Sequence, residues 1–227
     1  KNLGDGTFED VTETAGVRGC KECYSSTGLW WDIDNDSDLD LYISDFRGTN
    51  RFYENNGDET FTEKAAELGL DVVDPSWAAM PIDYDRDGDW DIYVSNDGYP
   101  NSFFRNDGGV FTDVAPELGM DDPGNGMGIA IGDYNNDLIY DLYVTNIHFN
   151  APNPFYVGKR EDNNTEQGGD YYFEERAEGL GVENTAWGWD IAFFDADHDL
   201  DNDLAVATFG DTDFNYFFSN RLEVGRD

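Results

Sequence analysis

Four stretches of this chain set carboxylates at alternating positions: Asp32–Asp40 (DIDNDSDLD), Asp83–Asp91 (DYDRDGDWD), Asp133–Asp141 (DYNNDLIYD) and Asp195–Asp203 (DADHDLDND). Counting within each nonapeptide, positions 1, 3, 5 and 9 are Asp32, Asp34, Asp36 and Asp40 in the first copy. They are Asp83, Asp85, Asp87 and Asp91 in the second, and Asp133, Asn135, Asp137 and Asp141 in the third. The fourth copy supplies Asp195, Asp197, Asp199 and Asp203. Hard oxygens converging on one point suit Ca²⁺, which takes six to eight such ligands in a flexible shell completed by carbonyls and water. The residues at position 7 are Asp38, Asp89, Ile139 and Asp201, and a main-chain carbonyl is the ligand expected there, since Ile139 has no other oxygen to give. Mg²⁺ demands a tighter octahedron, and Zn²⁺ prefers His or Cys, of which these loops hold only His198. An EF-hand is excluded, because its twelfth position is a bidentate Glu and here it is Ile43, Val94, Val144 and Val206. One acidic run reads as solvated surface. Four runs in steps of two, each leading into an apolar stretch, read as up to four calcium sites.

Something must hold these loops at fixed geometry. The four runs begin 51, 50 and 62 residues apart, so internal repetition organises the chain. Each is followed at once by a stretch such as Leu41-Tyr42-Ile43-Ser44, Ile92-Tyr93-Val94-Ser95, Leu142-Tyr143-Val144-Thr145 or Leu204-Ala205-Val206-Ala207, which reads as a strand. Further on comes Asn-x-Phe-aromatic, at Asn50–Tyr53, Asn101–Phe104, Asn153–Tyr156 and Asn215–Phe218. A Gly-rich turn and another Phe follow in three copies, at Phe61, Phe111 and Phe173. The fourth copy lacks that piece after Phe218, whereas Gly4-Asp5-Gly6-Thr7-Phe8-Glu9-Asp10 matches it at the other end. The expected fold is therefore all-β. It is a single β-propeller domain over 1–227 with four-stranded blade units of about 50 residues at 24–63, 75–114, 125–175 and 185–220, the last completed by 2–12. A closed four-blade ring and a part of a larger propeller both fit. A β-sandwich is the competing architecture, but its strands need not repeat their loop chemistry at near-constant spacing. Gly158–Asp170 reads as an extra exposed loop, with Asn163-Asn164-Thr165 as a weak glycosylation pattern.

Composition narrows the partners. Among 227 residues there are 50 acidic against 13 basic side chains, a formal net charge of −37, which disfavours nucleic acid and anionic membranes. With 39% hydrophobic and 15% aromatic residues the chain is too apolar for an acidic disordered segment. No apolar run approaches a membrane span, no signal-peptide pattern stands at Lys1, and the start reads as mid-domain sequence, as in a processed form or fragment.

The units resemble the FG-GAP/VCBS repeats of integrin α-chain-like propellers, most closely the bacterial and cartilage-acidic-protein-like branch. The carriers are the DxDxDGxxD-like loops, the Leu-Tyr-Val-type strand after them and the turn at Asn2–Phe8. The resemblance implies a propeller with calcium in the hairpin between the first two strands of each blade, and a secreted or cell-surface location. One departure concerns position 6, usually Gly for a positive φ; it is Gly88 in the second copy but Ser37, Leu138 and Leu200 elsewhere. Bulk there costs strain, so weaker or differently wound third and fourth sites are expected. A second departure is the unit number, since relatives generally carry more than four blades.

Other signals are thinner. Cys20 and Cys23 lie in the loop before the first acidic run, and a local disulfide is the expected reading outside the cytoplasm. His148 and His198 read as surface residues. Trp77 and Trp189, each six residues before an acidic run, suggest a shared inner-strand packing position. Trp30, Trp31 and Trp187 are core residues before they are a glycan-binding face. The expected function is a non-catalytic extracellular adhesion, matrix or structural module presenting its loops to protein or glycan partners. Alternatives are the propeller part of a larger secreted enzyme, and a homo-oligomer or filament built by donation of the N-terminal strand.

Overall fold

The computed structural model describes residues 1–147, 151–161, 169–183, 185, 187–209 and 215–221. The chain folds into four antiparallel sheets arranged in sequence order, a propeller-like succession of repeated units. The first contains β1 (Ser25–Trp31), β2 (Asp40–Asp45), β3 (Arg51–Asn55) and β4 (Phe61–Glu63). The second contains β5 (Ser76–Ile82), β6 (Asp91–Asn96), β7 (Ser102–Asn106) and β8 (Phe111–Asp113). The third contains β9 (Gly126–Gly132), β10 (Asp141–Asn146), β11 (Phe155–Arg160) and β12 (Tyr171–Glu175). The fourth has three strands among the described residues, β13 (Gly188–Phe194), β14 (Asp203–Thr208) and β15 (Tyr216–Phe218).

Strands neighbour in chain order within every sheet, so each acidic run is the hairpin connection between its first two strands. Trp31 pairs with Asp40, Ile82 with Asp91, Gly132 with Asp141 and Phe194 with Asp203, which fixes the same register at the neck of all four loops. Strands β2, β6 and β10 are buried almost throughout, because they lie inside a sheet that packs against its neighbours, whereas β14 is partly exposed. That burial explains why Leu-Tyr-Val and Ile-Tyr-Val runs fill both faces of these strands. Three apolar layers separate the sheets. Trp31, Tyr42 and Phe52 meet Ile92 and Phe104 in the first. Tyr93 and Phe103 meet Leu142 and Tyr156 in the second, and Tyr143 and Phe155 meet Leu204 and Val206 in the third.

The motif Asn-x-Phe-aromatic opens each third strand for a physical reason. The buried side chains of Asn50, Asn101 and Asn153 accept the N–H of Asp45, Asn96 and Asn146 at 2.8, 2.8 and 2.6 Å, closing the turn between second and third strands. Asn215 repeats this with the Thr208 N–H at 3.1 Å. The fully buried Tyr93 and Tyr143 donate their hydroxyls to the carbonyls of Met120 and Val182, which follow the third strands' outer neighbours in the chain.

Beyond the expected strands, the chain forms single-turn helices: α1 (Thr12–Ala15), α2 (Ala65–Leu68), α3 (Ala115–Leu118) and α4 (Ala177–Leu180). A carboxylate two residues earlier accepts the first helical N–H in each, from Asp10, Glu63, Asp113 and Glu175. A left-handed glycine ends each, at Gly16, Gly69, Gly119 and Gly181. The repeated acid-x-Ala-x-x-Leu-Gly string was the available signal in three copies; four residues are too few to show a helical period.

Two expectations about the termini and loops change. Among the described residues no strand pairs with the outer edge of β15, and residues 2–12 do not complete the fourth sheet. They form their own hairpin, with Asn2 bridged to Phe8 and the Leu3 N–H donated to the Thr7 carbonyl at 3.0 Å. The hairpin lies on the flank of the first sheet, where the Lys1 ammonium meets Glu59 at 2.5 Å. The segment 158–170 is not wholly a loop either: β11 runs through Arg160, pairing Gly158 with Phe173 and Arg160 with Tyr171. Asn163-Asn164-Thr165 and His148 lie outside the described residues. Cys20 and Cys23 are joined in a disulfide, with Cα atoms 5.5 Å apart.

Candidate metal centre

All four acidic loops lie at the same end of their sheets and share one winding. Positions 4 and 6 take positive φ in every copy: Asn35 and Ser37, Arg86 and Gly88, Asn136 and Leu138, His198 and Leu200. The expectation that bulk at position 6 would rewind the third and fourth loops is not met. Leu138 at φ 67° and Leu200 at φ 74° adopt what Gly88 adopts at φ 96°. Their side chains are exposed and meet no packing penalty, and the local carboxylates hold the backbone there. His198 owes its place to this winding, as the fourth-loop equivalent of Asn35.

Position 1 supplies part of that hold. Asp32, Asp133 and Asp195 accept the position-6 N–H at 3.0, 2.8 and 3.2 Å. Position 5 accepts the position-7 N–H, from Asp38 to Asp36, Asp89 to Asp87, Ile139 to Asp137 and Asp201 to Asp199, at 2.9 to 3.3 Å. Position 9 ties the loop to the sheet. Asp40, Asp91, Asp141 and Asp203 are buried, and one oxygen of each accepts the position-2 N–H, from Ile33, Tyr84, Tyr134 and Ala196. The other oxygen accepts an N–H from within the third strand, at its end or just beyond it, from Gly158, from Asn55 and Asn106, and from Asn220. Each of these oxygens keeps a free lone pair.

The electrostatics are unfavourable for bare carboxylates. Burial pushes Asp91 up to about 8, Asp141 to about 7 and Asp40 to about 6, against the two backbone N–H donors that favour the charged form. Burial and the neighbouring Asp36 raise Asp34; burial and Asp87 raise both Asp83 and Asp85. Each site therefore asks for positive charge.

The ligand atoms of Asp32, Asp34 and Asp36 lie within 4.8 Å of one another, as do those of Asp83, Asp85 and Asp91, and of Asp195, Asp197 and Asp199. Among the described residues the third loop has no such acidic trio. Asn135 donates its amide to Asp137 at 2.9 Å, and the Lys159 ammonium stands 3.8 Å from the same carboxylate. Four buried oxygens, Oδ1 of Asp32, Asp38, Asp83 and Asp85, accept no hydrogen bond. A solvent-shielded carboxylate oxygen without a donor is costly, and a hard cation at that point satisfies several at once. The donor set thus fits a calcium ion in the first two loops. Asp89 also braces its loop: one of its oxygens accepts the Gly108 N–H at 2.9 Å. Adjacent loops touch, since the amides of Asn35 and Asn136 donate to the carbonyls of Gly88 and Leu200 at 3.3 and 3.0 Å.

The tryptophans sort by depth. Trp31 is core and Trp30 is half exposed against Phe61, with ring centroids 5.7 Å apart. Trp77 and Trp189 meet edge to face at 5.7 Å, joining the inner strands of the second and fourth sheets, and Trp187 stacks on Phe209.

No curated protein matches the chain. A family model described as an FG-GAP-like repeat matches residues 32–94 and 83–144, each match running from one acidic loop through the next and into the strand after it. With loop, strand order and spacing in agreement, the stretch from residue 32 to residue 144 belongs to the FG-GAP-like repeat family.

Proposed function

We propose that this chain is a non-catalytic, calcium-stabilised propeller-like module acting outside the cytoplasm, in adhesion, matrix or structural roles. The observation that carries the reading is the set of buried, donor-less oxygens of Asp32, Asp38, Asp83 and Asp85 in loops wound alike. Asp32, Asp34, Asp36 and Asp40 would hold the ion in the first loop, and Asp83, Asp85, Asp87 and Asp91 in the second. The bound ion supplies positive charge that neutralises the clustered carboxylates. Extracellular calcium loads even modules with dissociation constants of roughly 10⁻⁴–10⁻³ M, and the Cys20–Cys23 disulfide suits the same compartment. No helix among the described residues is long and apolar enough to cross a membrane. The exposed loops outside the acidic hairpins are where protein or glycan partners would be read.

Native mass spectrometry in a calcium series tests this. Discrete uptake of calcium ions, lost on adding chelator, is the expected result; a chain that stays metal-free in millimolar calcium ends the proposal.

A further inference from the structure

The turn between second and third strands is closed differently in the first sheet than in the next two. In the second and third sheets the buried Asn96 and Asn146 each donate an amide hydrogen to a proline carbonyl, of Pro100 and Pro152, at 2.7 Å. The first sheet has Asp45 at that place, whose side chain has no N–H to give. Its buried carboxylate takes the Arg51 guanidinium instead, at 2.7 Å. Arg51 follows the turn-closing Asn50, where the other two sheets have Ser102 and Pro154. A guanidinium has five N–H donors, so one carboxylate does not exhaust it. Arg51 also donates from Nη2 to the Ser25 hydroxyl at 3.2 Å and from Nη1 to the Cys23 Sγ at 3.4 Å.

The two ends of the Cys20–Cys23 disulfide therefore differ. Cys20 is exposed, whereas Cys23 is half-buried with Arg51 against its sulfur. Two glycines allow the close approach. A Cβ on Gly48 would come within 2.5 Å of the Cys23 Sγ, and one on Gly19 within 2.9 Å of the guanidinium carbon of Arg51. Beside Cys23 an open hollow is lined by Lys21, Glu22, Tyr24 and Arg47. Three of the chain's 13 basic residues, Lys21, Arg47 and Arg51, thus gather at one disulfide in a chain of net charge −37. Thiol–disulfide exchange depends on which sulfur can be reached and on how well the leaving thiolate is held. Neighbouring cations favour a cysteine thiolate. The guanidinium contact with sulfur strengthens as negative charge develops there, so Arg51 stabilises the leaving state more than the intact disulfide.

We propose that Cys20–Cys23 is a redox-active disulfide that exchanges with a vicinal dithiol on a partner, Cys20 being the sulfur attacked and Cys23 the sulfur that leaves. A partner thiolate bonds to the Cys20 Sγ, the S–S bond breaks, and its electron pair stays on the Cys23 Sγ beside Arg51. The partner's second thiolate then attacks its own sulfur in that mixed disulfide and releases Cys20 as a thiolate. The partner's dithiol is oxidised to a disulfide and two electrons pass to the cysteine pair. The partner's two protons pass through water to the released thiolates. The exchange is stoichiometric, and it rests on the first sheet and not on a bound ion.

The test follows reduction of the full chain by dithiothreitol in millimolar calcium, read by alkylation and mass. The folded chain is expected to react at least tenfold faster than the chain unfolded in urea, because only the fold brings Arg51 to Cys23. A disulfide that merely braces its loop reacts more slowly when folded. R51Q is expected to lower the folded rate at least tenfold and R51K, which keeps the charge, to retain most of it, both with the circular dichroism of the wild type. Glutathione trapped by acid quench is expected on Cys20. A folded rate at or below the unfolded rate overturns the proposal, as does an adduct on Cys23. A folded R51Q that reacts as the wild type does overturns it too; if R51Q does not fold, the folded and unfolded wild-type rates still decide.

Discussion

The second and third acidic loops share a backbone and differ in charge. Arg86 and Gly88 have φ of 60° and 96°, Asn136 and Leu138 have 58° and 67°, and Asp91 and Asp141 make the same pair of backbone contacts. Yet the second loop brings Asp83, Asp85 and Asp91 together with two donor-less oxygens, whereas the third replaces an aspartate with Asn135 and sets Lys159 beside Asp137. Loop winding and cation demand are therefore separable. Positions 1, 5 and 9 wind the loop by accepting backbone N–H groups; the residue at position 3 and the cation beside position 5 are where the two loops differ in charge.

The largest effect should come from removing the cation. A site loaded at a hundred times its dissociation constant stabilises the fold by about 2.7 kcal/mol, and several sites together rival the roughly 5–15 kcal/mol of an ordinary domain. Thermal melting with excess chelator is expected to drop the midpoint sharply. An unchanged midpoint would mean that the carboxylates of all four loops are tolerated bare.

Next in size are the closing aspartates. D91A and D141A each leave two backbone N–H groups without their acceptor, at a cost of about 1–3 kcal/mol per unsatisfied group. The two variants should lose similar stability in urea titrations performed in chelator. A loss confined to D91A would show that Asp141 does not hold the third loop as Asp91 holds the second, and the separation of winding from charge would fall.

The charge half of the comparison is sharpened by exchange. N135D is expected to tighten calcium binding at the third loop, and D85N to weaken it at the second, each by about tenfold, the equivalent of about 1.4 kcal/mol. Calorimetric titration of calcium into each variant reads this directly. No change in N135D would indicate that Lys159 alone governs the third loop.

The smallest effect concerns position 6. L138G removes a side chain from a left-handed residue and should stabilise the apo protein by about 1 kcal/mol, while G88L should cost a similar amount. Equal melting of both variants and the wild type would show that the carboxylate contacts abolish the glycine preference.

Much of this was legible in the chain itself. Alternating aspartates followed by Leu-Tyr-Val-type runs place every loop at a strand junction, because a hairpin neck needs an apolar strand on both sides and the repeat supplies it four times. Asn50, Asn101, Asn153 and Asn215 were visible as a repeated mark, but their work is tertiary: a buried amide closing a turn has no local signature. The single-turn helices lack a local period for a related reason, being held by one carboxylate and one left-handed glycine each.

Residue type and spacing by themselves determined where carboxylates gather, which stretches become strands and that the units repeat, since each follows from local geometry and side-chain chemistry. Only the tertiary structure decided that Leu138 winds like Gly88, that Lys159 stands beside Asp137 in the third loop, and that residues 1–9 pair with themselves. Those outcomes depend on atoms brought together from distant parts of the chain, and a one-dimensional pattern carries no distances between them.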